Sequence, residues 1–88
     1  MSFLDPVHQT HGAIIEVLAS YPGLEVQQMH DKLQAEHGID ISVSNLYRTI
    51  AQLVEKQVLV KDKGRLSLNQ VWVAHMIRFS HVLEANYV

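Results

Sequence analysis

The chain has 88 residues, a formal net charge of −2 and no cysteine. That length fits one small domain, which buries roughly 60–65% of the surface its unfolded chain exposes, so surplus apolar surface points to a partner. Disulfides and thiolate metal sites are excluded. No run is apolar enough to span a bilayer, and MSFLDPVHQT lacks the basic start and apolar stretch of a signal peptide, so a cytoplasmic location is the expectation.

Asp5-Pro6 is a helix start, because Asp caps and Pro is tolerated at the first helical position. The helix is expected to reach about Ser20, burying Val7, Ile14, Ile15 and Leu18, and to end at Tyr21-Pro22-Gly23. Gly12 inside it suggests a close contact with another helix. A second helix is predicted over 26–37, with Val26, Met29 and Leu33 as its apolar stripe and His37-Gly38 as its end. Ile39-Asp40-Ile41 reads as short, extended and half-buried. Ser42 then caps a third helix, predicted over 42–56. Val43, Leu46, Ile50, Leu53 and Val54 form its inner face, and Ser44, Asn45, Arg48, Ala51, Gln52 and Glu55 lie opposite. "VLVKDKGRLSL" reads as a hairpin turning at Asp62-Lys63-Gly64. Asn69 caps a last helix to about Asn86. The expected class is mainly α with a small β-hairpin: a winged helix-turn-helix over 1–68, with an additional C-terminal helix over 69–88.

Charge is distributed unevenly. Residues 1–41 hold Lys32 against six acids, whereas 42–66 hold Arg48, Lys56, Lys61, Lys63 and Arg65 against Glu55 and Asp62. The basic charge therefore gathers on the third helix and hairpin, and such asymmetry, more than net charge, marks a nucleic-acid face.

"ISVSNLYRTIAQLVEKQVLV" and its flanks, from His11 to Leu68, resemble the DNA-binding domain of the ferric uptake regulator family. PadR-like repressors, which share a similar helix and a helix after the wing, are the nearest rival. The resemblance implies that Tyr47 and Arg48 look toward DNA, with Tyr47 on a thymine methyl and Arg48 on a phosphate or guanine edge. It also implies that Ser42, Ser44 and Asn45 contact phosphates or bases at the helix N-terminus. Gln52 joins this set from the same face, and Lys61, Lys63 and Arg65 would follow the DNA backbone from the wing. Three features depart from the family. Gln57 stands where a Gly usually ends the helix, and Glu25 stands where a Ser or Thr usually caps the second helix. The His-rich segment and Cys pairs of the family's metal-binding and dimerisation domain have no counterpart here. The regulatory function therefore does not carry over with the fold.

Six histidines raise a metal reading, but His8/His11, His30/His37 and His75/His81 do not give the tight ligand set that zinc requires. No metal or cofactor is expected. No nucleophile motif or phosphate-binding loop is present, so the chain reads as a non-enzyme. In the last helix, Trp72, Met76, Phe79, Leu83 and Tyr87 fall in one stripe. Part of that helix is expected to pack on the first one, and the remainder to pair two chains. A monomer closing its own core is one alternative, and a helix continuing into a further domain is another. The reading is a dimeric, sequence-specific regulator of transcription that binds double-stranded DNA. The alternative is a winged-helix module that docks on a protein through the same face.

Overall fold

The computed structural model describes the backbone of residues 6–87 and the side chains of residues 9–82. Six elements follow one another: α1 (Pro6–Ser20), α2 (Val26–His37), α3 (Val43–Glu55), β1 (Leu59–Asp62), β2 (Arg65–Leu68) and α4 (Gln70–Tyr87). The protein is thus mainly helical with one small antiparallel hairpin, in the expected order. The Asp5 cap and the side chains of Val7, Leu83 and Tyr87 lie outside the described residues.

The core is built by α1, α2, α3 and the hairpin. From α1 come Ala13, Ile14, Val17 and Leu18, with Thr10 buried beside them. This corrects the expected face, since Ile15 is only half-buried. The inward line runs through positions 10, 13, 14, 17 and 18 at the helical repeat, which puts Ile15 at its edge. Gly12 is also not a helix contact, because a Cβ built there meets nothing within 4 Å. From α2 come Val26, Met29 and Leu33, as expected. The Gln28 side chain closes the start of α2 by accepting from the Glu25 N–H at 2.9 Å. Gly38, at φ +62°, ends it with its N–H on the Leu33 carbonyl.

α3 starts where Ser42 Oγ accepts from the Asn45 N–H at 3.2 Å. It buries Leu46, Ile50 and Leu53, and leaves Val43 37% exposed in its first turn. At its end the Val58 N–H reaches the Leu53 carbonyl at 2.9 Å and the Gln57 N–H reaches the Val54 carbonyl at 3.0 Å. That pair of bonds is a Schellman motif, which calls for a left-handed residue at the position after the cap. Here that residue is Gln57, at φ +63°. A side chain in this conformation is strained by about 1 kcal/mol, partly offset by the greater freedom glycine has when unfolded. Gln57→Gly is therefore expected to raise stability by roughly 0.5–1 kcal/mol. The check is a higher denaturant midpoint at an unchanged slope.

β1 and β2 pair with Leu59 opposite Leu68 and Lys61 opposite Leu66. Lys63 (φ +53°) and Gly64 (φ +80°) make the connection. Two consecutive positive φ angles match the right-handed twist of a tight hairpin. One feature was not legible beforehand: the α1–α2 loop adds to the outer edge of β2. The Gly23 N–H donates to the Leu66 carbonyl at 2.8 Å and the Leu66 N–H to the Leu24 carbonyl at 2.7 Å. Leu59 and Leu66 carry the hairpin into the core.

Asn69 is a junction. Its Oδ1 accepts from the Val71 N–H at 2.9 Å, capping α4. Its Nδ2 donates to the Gln57 carbonyl at 2.9 Å, tying the start of α4 to the end of α3. Beyond that joint α4 leaves the body. None of its described side chains belongs to the core or packs on its margin. Among the described residues, no α4 side chain joins the core beside α1, where part of the helix was expected to pack. Of the α4 stripe, Trp72 is half-buried and Met76 and Phe79 are exposed.

Candidate nucleic-acid interface

α3 is strongly two-sided, so the residues that do not pack must point outward. Ser44, Asn45, Tyr47, Arg48, Ala51, Gln52 and Glu55 are all exposed. Arg48 forms no ion pair among the described residues, with neither Glu55 nor Glu25. Its guanidinium is therefore not committed to the protein surface. Ser42 is placed differently. Its hydroxyl is used as the helix cap, with Ser44 Oγ a further 3.4 Å away.

The hairpin bases are distributed by the strand register. Lys61 pairs with Leu66 and shares the inward side with Leu59. Its ammonium consequently lies 5.4 Å from the centre of the Tyr47 ring, within cation–π range. Tyr47 is itself 50% exposed. This contact joins the outer face of α3 and the hairpin into one surface. Arg65 turns away from it: its Nη1 donates to the Gly23 carbonyl at 3.2 Å and clasps the α1–α2 turn. Lys63 sits at the exposed tip, with no hydrogen bond or ion pair among the described residues.

Two depressions flank α3. An open cleft of about 630 Å³ has Tyr47, Ile50, Ala51 and Val54 as its apolar floor, with Arg48, Glu55 and Lys61 around the rim. A more polar one of about 610 Å³ lies toward α1 and the α2–α3 turn, where Asn45, Arg48 and Gln52 face Gln9 and Asp40. Arg48 borders both. In and just before α2, Glu25, Asp31 and Glu36 are exposed, with Glu36 3.3 Å from Lys32. Along α3 and the hairpin the exposed bases Arg48, Lys56, Lys61, Lys63 and Arg65 outnumber the exposed acids Glu55 and Asp62.

The presentation of α3 depends on a histidine of α2. His30 on α2 donates from Nε2 to the Ile41 carbonyl at 2.7 Å. This bond pins the connection 38–42 to α2 immediately before α3 begins, across eleven positions of the chain. No local pattern announces it. The Asp31 carboxylate lies 4.0 Å from the other ring nitrogen. Among the described residues no three His, Asp or Glu side chains gather as a metal ion would require. No described helix is long and apolar enough to cross a membrane. No protein-family model, curated protein or solved structure matches this chain.

Proposed function

We propose that residues 6–68 form a winged helix-turn-helix domain that binds double-stranded DNA, and that the protein regulates transcription. In this reading α2 and α3 are the two helices of the motif and α3 enters the major groove. Arg48, Asn45 and Gln52 have the donor and acceptor groups that read base edges, and the methyl of Ala51 and the ring of Tyr47 suit a thymine methyl. Lys63, with Lys61 behind it, would follow the phosphate backbone. Ser42 and Arg65 act indirectly, the first by starting α3 and the second by bracing the hairpin. The role is binding, with no catalytic step.

The observation that carries this reading is the joined surface of α3 and hairpin, with Lys61 over Tyr47 and an exposed Arg48 that has no ion pair among the described residues. The apolar floor of the adjoining cleft favours a second reading, in which the same face docks on another protein. Titration of the chain with random-sequence duplex DNA at two salt concentrations separates the two. A DNA-binding face loses affinity steeply as salt rises, because each phosphate contact releases a condensed counterion. Absence of duplex affinity at low salt would refute the DNA reading and leave the protein-docking one.

A further inference from the structure

α4 is the element least explained by the fold that carries it. On one face of it Met76 and Phe79 are 45% and 59% exposed and Trp72 is half-buried, and Val71 and Ile77, off that face, are exposed as well. A helix that is apolar around most of its circumference is normally covered. Trp72, Met76 and Phe79 follow one another at spacings of four and three. That is the 3.5-residue repeat with which one helix packs along another. We infer that the cover is a second copy of this chain, its α4 running antiparallel to the first. Met76 of each chain then packs against Phe79 of the other about a two-fold axis between positions 77 and 78.

Three observations favour a second copy over an unrelated partner. The first is charge. Arg78 and Glu84 are the only charged residues of α4, and neither belongs to the 72–76–79 series. Two copies therefore meet along the stripe without like charges facing, and a strongly acidic or basic partner finds nothing to pair with there. The second is self-complementarity. An antiparallel pair sets Phe79 opposite Met76, and Trp72 opposite position 83, a Leu. Large and medium side chains then alternate across the seam, as close packing requires. A parallel pair would stack Trp on Trp and Phe on Phe. The third is area. An α4 of 18 residues is about 27 Å long. Paired along that length it buries on the order of 500 Å² per chain, close to the lower bound of about 1,000 Å² in total for a specific interface. The dimer should therefore dissociate in the micromolar range.

The joint at Asn69 gives the pairing a further consequence. Antiparallel helices place the two Asn69 ends about 25 Å apart, and each end is bonded to the end of its own α3. The Gln57 ends that follow the two α3 helices are then held on the order of 25 Å apart, the same order as the roughly 34 Å between successive major-groove faces on one side of a duplex. Only this last step rests on the proposed DNA function.

Sedimentation of the intact chain from 1 to 100 μM (about micromolar, by the area argument) tests the pairing. Emission of Trp72, the only tryptophan, gives a parallel readout. A concentration-dependent species of twice the 10.0 kDa chain mass is expected. Phe79→Glu should weaken association at least about tenfold with unchanged far-UV circular dichroism, because a carboxylate at the seam is desolvated. Ala74→Glu, on the opposite side of α4, should leave association as it is. Mixing Met76→Cys with Phe79→Cys chains, in a background without other cysteines, should give mainly the mixed disulfide on oxidation. A monomer throughout, or equal loss on Ala74→Glu, would overturn the inference. Predominance of the two homodisulfides would overturn the antiparallel arrangement. A dimer that binds no duplex counts against the DNA reading alone.

Discussion

Arg48→Ala is expected to weaken duplex binding by about 1–3 kcal/mol and to relax discrimination at one base position. The guanidinium is exposed, is not used by any acid among the described residues, and borders both depressions beside α3. Lys63→Ala provides the contrast. It sits at the hairpin tip, so its loss should weaken all sequences alike and reduce the slope of log affinity against log salt by about 1. Competition titrations with a selected site and a scrambled duplex, each at several salt concentrations, measure both effects. If Arg48→Ala leaves specific and non-specific affinity unchanged, α3 is not the reading element. The apolar cleft between α3 and the hairpin then becomes the better candidate for a partner.

Leu66→Ala should have the largest effect on folding. The Leu66 side chain is fully buried, and its backbone bonds on both sides to the α1–α2 loop. Deleting such a side chain costs about 2–5 kcal/mol, through lost transfer free energy and the cavity left behind. A chain of this length is stabilised by roughly 4–13 kcal/mol in total. The variant should therefore show a much lower urea midpoint, and near 37 °C a measurable unfolded fraction. A loss below about 1 kcal/mol would show that the three-helix cluster holds without the hairpin, since a cavity cost of 2–5 kcal/mol would then be missing. The hairpin would be an appendage rather than part of the core.

Much of this architecture was readable before any coordinates. The bounds of α2 and the order of all six elements follow from signals within a few residues of each boundary. Ser42 and Asn69 cap helices because their short side chains accept from the first free N–H groups. Lys63-Gly64 turns because both residues take positive φ. The outward set on α3 was equally legible, since Leu46, Ile50 and Leu53 repeat at the helical period and leave Asn45, Arg48 and Gln52 no inward place. The strain at Gln57 was foreshadowed by the absence of a glycine there, and its left-handed backbone is the measure of it.

The sequence by itself determined which segments become helix or strand and which side of α3 is polar, because capping, turn chemistry and hydrophobic period act over one or two turns of chain. What each polar group does once outside was decided only by the tertiary structure. Arg65 and Lys63 read alike in sequence as hairpin bases, yet Arg65 is bonded to a carbonyl 42 positions away. His30 stood out in the sequence only as a metal-ligand candidate, and in the fold it pins the connection before α3. Leu24, just after the Tyr21-Pro22-Gly23 turn, bridges to β2. In the apolar stripe of α4, which looked partly like core, Met76 and Phe79 are exposed and Trp72 is half-buried. Each of these outcomes depends on which segments, distant in the chain, come to lie side by side. That follows from burying the core as a whole, and no short window of residues encodes it.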